Sequence, residues 1–89
     1  MAFKVFLHPK ASVFLNKSER DLRERIFQKM KALSSRPQDK GERLRPSDYY
    51  RLRVGDYRVI YEIWPGEEKV VVLFIGHRSK VYDDFTKLL

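Results

Sequence analysis

The most regular hydrophobic pattern in the chain runs through residues 49–61, where apolar residues and arginines alternate on either side of Gly55-Asp56. Alternation with a period of two is typical of β-strands, and a Gly-Asp pair suits a two-residue hairpin loop. With that loop, Arg53 lies opposite Arg58 across the hairpin. The pattern therefore predicts a β-hairpin with two different faces. The apolar face consists of Tyr50, Leu52, Val54, Tyr57, Val59 and Tyr61, and the other face carries Arg51, Arg53 and Arg58.

The first half of the chain predicts one strand and two helices. Residues 3–7 alternate weakly and end at His8-Pro9, and proline is favoured in the first turn of a helix. Apolar residues then recur at helical spacing in two stretches, the second of which contains Ile26. Ser18 and Asp21 have the spacing of a capping box, which predicts that Ser18 caps the second helix. The two helices form a hairpin whose apolar faces need a sheet to pack on.

The second half of the chain predicts the rest of a small sheet. The polar stretch 38–48 is expected to be a surface loop with Leu44 as its single apolar anchor. Residues 69–75 are almost uniformly apolar, which is typical of a central strand buried on both faces. Residues 81–89 form a short terminal segment with apolar residues at helical spacing.

Together these elements predict an α+β fold that spans residues 1–89 as a single domain. An N-terminal strand is followed by a helical hairpin. A three-stranded antiparallel meander then completes a four-stranded sheet, and a short C-terminal helix ends the chain. A length of 89 residues allows one modest core, and a hydrophobic content of 43% is that of a folded domain.

Composition restricts the chemistry and the partners. Lys and Arg number 19 against 12 Asp and Glu, and a net charge of +7 favours a polyanionic partner such as RNA, DNA or an acidic protein. The absence of cysteine excludes disulfides and cysteine nucleophiles, and two isolated histidines predict no metal site and no cofactor. The chain shows no signal-peptide pattern and no apolar run of transmembrane length, so we expect a cytoplasmic protein without membrane contact.

The arginine face of the hairpin admits two interpretations. Like charges directly opposite each other on antiparallel strands are destabilising, which applies to Arg53 and Arg58. Three guanidiniums on one face are explained if an anion binds there, because arginine matches phosphate oxygens in a bidentate way. Alternatively, they are solvated arginines on the open face of an antiparallel sheet.

Two segments carry a family resemblance, namely YRLRVGDYRVIY at residues 50–61 and VVLFIGHRSKVY at residues 71–82. Together with the length, the leading strand and the helical hairpin, they resemble the RelE/ParE superfamily of toxins from bacterial and archaeal toxin–antitoxin operons. The resemblance covers essentially the whole chain. It implies one of two activities, because the RelE branch contains ribosome-dependent mRNA endonucleases and the ParE branch contains gyrase poisons. A degenerate toxin that only binds its antitoxin is a third alternative.

The RelE branch implies cleavage of mRNA in the ribosomal A site, where the 2′-hydroxyl of the RNA attacks the adjacent phosphorus. By this resemblance Arg58 and Arg78 contact the scissile phosphate, and Arg51 with Arg53 contacts the substrate backbone and the leaving-group side. The best-known member has lysine at the positions of Arg51 and Arg53. Because arginine does not lose its proton, Arg51 and Arg53 would act only through their positive charge. Tyr82 would stack on a base or help remove the 2′-hydroxyl proton; its alternative role is packing on the sheet.

The resemblance also implies partners. They are a cognate RelB-like antitoxin, the 70S-type ribosome and mRNA.

His77, beside Arg78, is a further candidate for proton transfer because its ordinary pKa suits that role. The predicted RNA-binding residues are Lys29, Lys31, Lys40, Arg43, Arg45 and His77. A solvated helix face explains Lys29 and Lys31 equally well.

Overall fold

The sheet of this protein has five strands rather than the predicted four. The computed structural model describes residues 2–44 and 48–86. In chain order the elements are β1 (Lys4–Leu7), α1 (Pro9–Lys17), α2 (Arg20–Lys31), β2 (Glu42–Leu44), β3 (Tyr49–Val54), β4 (Tyr57–Trp64), β5 (Lys69–His77) and α3 (Val81–Thr86). The strand order is β1-β5-β4-β3-β2, with β1 parallel to β5 and the other neighbours antiparallel. The predicted α+β fold is confirmed.

The additional strand is β2, which lies inside the segment predicted to be a loop. It pairs with β3 at the edge of the sheet, and its register places Glu42 opposite Arg51 and Leu44 opposite Tyr49. Three residues are too few to show a period of two, and polar side chains are usual on an edge strand. For these reasons the polar composition of residues 38–48 did not reveal the strand.

The predicted hairpin register is confirmed. Arg53 lies opposite Arg58, Leu52 opposite Val59, and the strands are joined at Gly55-Asp56. Gly55 has a φ of 59°, in the left-handed region that glycine adopts without steric cost. The turn therefore fixes which residues of β3 and β4 face the helices.

The main core lies between the helical hairpin and one face of the sheet. Buried residues of α1 and α2 pack against buried residues of the three central strands, and this cluster consists of Ala11, Leu15, Ile26, Met30, Leu33, Leu52, Val54, Val59, Tyr61, Val70, Val72 and Ile75.

The predicted capping role of Ser18 is wrong. Glu19 precedes α2 without a side-chain cap, and the Ser18 hydroxyl donates to the Phe14 carbonyl at 2.7 Å. With only two residues between the helices, Ser18 closes α1 instead of opening α2.

A second, smaller cluster lies on the arginine face. Ile60, Phe74 and Val81 are buried there, and Tyr82 packs against them in part. Phe74 and Ile75 are buried on opposite faces of β5, as predicted for a central strand. Because α3 contributes Val81 and Tyr82, this face is partly covered rather than open.

In the described part of the chain, none of the helices has the length and apolar character needed to cross a membrane.

Tyr61 holds the connection between the helices and β2. Its ring is fully buried, and its hydroxyl donates to the Pro37 carbonyl at 2.8 Å. Gly41 passes so close that a Cβ there would lie 2.5 Å from the Tyr61 hydroxyl oxygen and 2.6 Å from the Arg51 carbonyl oxygen. The position of β2 thus depends on a glycine at residue 41.

We predict that Gly41→Ala destabilises the protein by about 1–3 kcal/mol, because one of these neighbours must move. The control is Gly66→Ala, since a Cβ at Gly66 meets no atom within 4 Å. We expect that control to change the free energy of unfolding by less than about 0.5 kcal/mol. Urea denaturation measures both variants. Equal midpoints for the two would show that β2 tolerates a shift.

We also predict an alkaline loss of stability at Tyr61. Burial raises the pKa of its phenol to about 12. Because the pKa is higher in the folded than in the unfolded state, the neutral phenol stabilises the fold fully below about pH 10, and this contribution is lost as the pH rises towards 12. Urea denaturation between these pH values should therefore show a steeper decline for the parent than for Tyr61→Phe. Parallel declines would contradict the assignment.

Candidate functional site

Arg51 lies on β3 and shares its guanidinium between two partners. Nη1 donates to the Tyr82 hydroxyl at 2.7 Å, and Nη2 donates to Glu42 Oε2 at 2.5 Å. The guanidinium carbon lies 5.9 Å from the centre of the Tyr82 ring. Residues from β2, β3 and α3 therefore meet at one point on the arginine face, although 40 positions separate Glu42 from Tyr82 in the sequence.

The contacts of Arg51 also affect protonation. The hydrogen bond from Arg51, together with its charge, lowers the pKa of the Glu42 carboxyl. The hydrogen bonds to Tyr82 and then to Glu42 raise the pKa of Arg51. Both groups are therefore charged at neutral pH, and Arg51 acts as a cation and hydrogen-bond donor only.

Glu42 was not predicted as a site residue. Its sequence neighbourhood is polar and resembles a loop, so nothing marks it as a partner of Arg51. The pairing follows from the register of β2 on β3, which places the two residues directly opposite each other. The sequence does show an acidic residue about ten positions before the hairpin arginines. This spacing indicates a pairing with Arg51 only once residues 42–44 are known to form a strand beside β3.

Arg58 is buried on the arginine face, with only 8% of its surface exposed. Its Nη1 donates to the carbonyl oxygens of Gly55 and Tyr57, both at 2.8 Å. The guanidinium therefore binds carbonyls at the hairpin turn. Contact with a scissile phosphate stays a prediction for Arg58, and its accessible surface is small.

Arg53 and Arg78 are both exposed. Within residues 2–44 and 48–86, the Arg53 side chain takes part in no hydrogen bond or ion pair, and its charge contributes to the lowered pKa of Glu42. Arg78 lies in the turn between β5 and α3, and its backbone N–H donates to the Asp56 carbonyl at 2.8 Å. That bond joins the turn after β5 to the hairpin turn.

His77 lies on the other side of the sheet. It pairs with Tyr57, and the two rings meet edge to face at 5.4 Å on the side where the helices pack. Its Nδ1 lies 2.9 Å from the Ser79 hydroxyl and accepts from the Ser79 N–H at 3.2 Å. The neutral imidazole therefore carries its proton on Nε2. The structure thus separates His77 from Arg51 and Tyr82.

Most of the other predicted RNA-binding residues also lie away from the arginine face. Lys29 and Lys31 are exposed on α2, which packs on the opposite side of the sheet. Arg43 pairs with Tyr50 on that side and donates to Asp48 Oδ1 at 2.7 Å. Lys40 is exposed in the turn before β2. Arg45 lies outside the described residues.

The described residues contain no group of three or more His, Cys, Asp or Glu side chains that could hold a metal ion. The arginine face itself presents fixed positive charge beside the Tyr82 phenol and the Glu42 carboxylate. Such a surface binds anions and can stabilise negative charge that develops on a phosphate.

Comparison with known proteins identifies the family. The sequence profile described as the ParE toxin of the type II toxin–antitoxin system parDE matches residues 5–82. The chain belongs to this ParE toxin family. It is therefore a toxin of a toxin–antitoxin system with the RelE/ParE fold, and the resemblance predicted from residues 50–61 and 71–82 is confirmed. A comparison with curated proteins found no significant match.

Solved structures with the same fold include both RelE and YoeB/ParE toxins. Escherichia coli RelE, as a double arginine-to-alanine mutant in the free state, has a TM-score of 0.81 and 26% identity, covering 100% of this chain and 99% of that chain. The toxin–antitoxin complex RelBE2 of Mycobacterium tuberculosis has a TM-score of 0.80 and 26% identity, covering 89% and 94%. The YoeB/ParE toxin of Agrobacterium tumefaciens, with a TM-score of 0.72, 15% identity and coverage of 84% and 98%, shows the shared fold alone.

We predict that Arg58 and Arg53 of this ParE-family toxin differ in their effect on stability. Arg58→Ala removes the guanidinium that binds the Gly55 and Tyr57 carbonyls and should cost about 1–3 kcal/mol. Arg53→Ala removes an exposed cation and should change the free energy of unfolding by less than about 0.5 kcal/mol. Urea denaturation compares the two. A neutral Arg58→Ala would mean that its bonds to the turn contribute nothing to stability.

Proposed function

We propose that this toxin is a ribosome-dependent endoribonuclease that cleaves mRNA in the ribosomal A site and thereby inhibits translation. The observation that carries the proposal is the 2.7 Å hydrogen bond between Arg51 and the Tyr82 hydroxyl, on the sheet face that also carries Arg53. These are the side chains that the RelE-like resemblance assigns to the reaction. The fold brings at least two of them into direct contact although they are 31 positions apart.

The proposed reaction is a transesterification within the RNA. The 2′-oxygen forms a bond to the adjacent phosphorus, and the bond from phosphorus to the 5′-oxygen breaks. The products are a 2′,3′-cyclic phosphate and a 5′-hydroxyl, so the proton lost by the 2′-oxygen is balanced by one gained at the 5′-oxygen. The pentacovalent intermediate gathers negative charge, which preorganised guanidiniums stabilise. Arg51, Arg53, Arg58 and Arg78 supply that charge in this scheme, and the largely buried Arg58 also holds the hairpin turn.

Tyr82 has two proposed roles that a single variant separates. Its ring can stack on a nucleobase, and its hydroxyl can take part in proton transfer. Tyr82→Phe keeps the ring and removes the hydroxyl together with its bond to Arg51. The arginines themselves cannot exchange the proton in the working pH range.

The matching family profile also favours a second candidate function. ParE-type toxins inhibit gyrase, and such a toxin would use its charged surface to bind a protein rather than to cleave RNA.

In both cases we propose a RelB-like antitoxin as partner, as in the RelBE2 complex of Mycobacterium tuberculosis. A net charge of +7 suits an acidic antitoxin. We also propose a cytoplasmic location and a single domain over residues 1–89.

The deciding experiment is primer extension on an mRNA bound to purified ribosomes, with the same RNA free of ribosomes in parallel. We expect a new stop inside the A-site codon only in the ribosome lane. Arg51→Ala should reduce the cleavage rate by about a hundredfold, because it removes a preorganised donor from the developing charge. Arg20→Ala is the matched control, since Arg20 is an exposed arginine on α2 whose partner is Glu24 at 3.3 Å.

Each other outcome would reject the ribosome-dependent proposal. Cleavage in both lanes would indicate a free ribonuclease. The absence of cleavage, combined with inhibited supercoiling by purified gyrase, would establish the ParE-type alternative. The absence of both effects would indicate a protein that only binds its antitoxin.

A further inference from the structure

Glu42 places a carboxylate beside the arginines of a face that is proposed to bind a polyanion. Its side chain is 71% exposed, and an exposed ion pair contributes little to stability. A negative charge at this position also weakens the attraction of the surface for RNA. Neither stability nor RNA affinity accounts for Glu42, which points to an effect on its partner.

The partner is Arg51, whose two Nη atoms are held from different directions. Nη2 binds Glu42 on β2, and Nη1 binds the hydroxyl of Tyr82 on α3. A guanidinium at the end of a flexible side chain loses its preferred orientation when one of two such anchors is removed, because several rotamers then become accessible. Glu42 therefore limits the orientations of the Arg51 plane, and through Arg51 it limits those of the Tyr82 hydroxyl.

The strand that carries Glu42 is itself held in place. Gly41, directly before β2, packs against the Arg51 carbonyl and the Tyr61 hydroxyl, and that hydroxyl is bound to the Pro37 carbonyl. The Glu42 backbone thus has a fixed position relative to Arg51. A carboxylate on a supported strand is suited to orienting a neighbouring side chain.

We propose that Glu42 is a positioning residue of the active site: it orients the Arg51 guanidinium and, through it, the Tyr82 hydroxyl for RNA cleavage. This role rests on the ribonuclease function proposed above. Glu42 does not touch the RNA in this scheme, so the consequence of its loss is misplacement of groups that do. Small misplacements of reacting or stabilising groups lower the rate of the chemical step more than they lower binding.

The kinetic test uses Glu42→Ala, Glu42→Gln and the control Glu24→Ala in the ribosome-bound mRNA assay. Glu42→Ala should lower kcat by about tenfold to a hundredfold. KM should stay the same or fall, because the variant removes a negative charge from the RNA face. Glu42→Gln should recover part of kcat, since its amide oxygen still accepts from Arg51. Glu24 pairs with Arg20 in an exposed ion pair on α2, so its loss should leave kcat and KM unchanged.

The structural test requires no RNA. The ¹³Cζ resonance of Tyr82 and the side-chain ¹⁵Nε resonance of Arg51 are compared in the parent, Glu42→Ala and Glu24→Ala. We expect both resonances to shift in Glu42→Ala and neither to shift in the control. A Tyr82 resonance that does not move overturns the positioning role even if kcat falls, because the loss of rate then has another cause.

The two tests distinguish the failure of this inference from the failure of the proposed function. Glu42→Ala with unchanged kcat overturns the positioning role while leaving the ribonuclease function intact. A rise in KM at unchanged kcat overturns it in favour of a binding contribution. A parent protein that cleaves no mRNA overturns the proposed function, and the positioning role of Glu42 in cleavage with it, whatever the resonances show.

Discussion

The register of the β3–β4 hairpin is the constraint on which the rest of the structure depends. Side chains of a strand alternate between the two faces, so a slip of one residue would exchange the core and arginine faces. The turn at Gly55-Asp56 prevents that slip, and Gly55 adopts the positive φ that the turn uses. Val59 and Tyr61 consequently enter the main core, whereas Arg51, Arg53 and Arg58 are directed to the other face.

Grouping arginines on one face creates repulsion, and the fold relieves it differently at each position. Arg58 turns inward and donates to carbonyls of its own hairpin, and Arg51 is held between a carboxylate and a phenol. Arg53 keeps its charge at the surface opposite the buried Arg58. The three arginines are alike in the sequence, but they have distinct structural environments and are therefore not interchangeable in a mechanism.

The shared fold leaves the choice between RNA cleavage and gyrase inhibition to individual side chains. The matching profile is that of a ParE toxin, the solved structures with this fold include RelE toxins, and a fold alone does not determine a reaction. In this chain the cluster formed by Glu42, Arg51 and Tyr82 joins the edge of the sheet to α3, and the proposal of RNA cleavage rests on it. The helix α3 also covers Ile60 and Phe74 through Val81, so the packing of the second cluster and the position of Tyr82 depend on the same helix.

The sequence by itself determined the α+β fold, the hairpin register, the two faces of the hairpin and the superfamily. These features follow from local periodicity, from turn chemistry and from two extended motifs. Only the tertiary structure decided that residues 42–44 form a strand, that Glu42 binds Arg51, that Arg58 is buried against its own turn, and that His77 lies on the helix side. The strand at residues 42–44, the Glu42–Arg51 bond and the side of His77 depend on partners distant in the chain, and a pattern of neighbouring residues contains no information about such contacts. Arg58 binds carbonyls close to it in the chain, but an alternating pattern shows only which face a side chain is on and not whether it folds back onto its own turn.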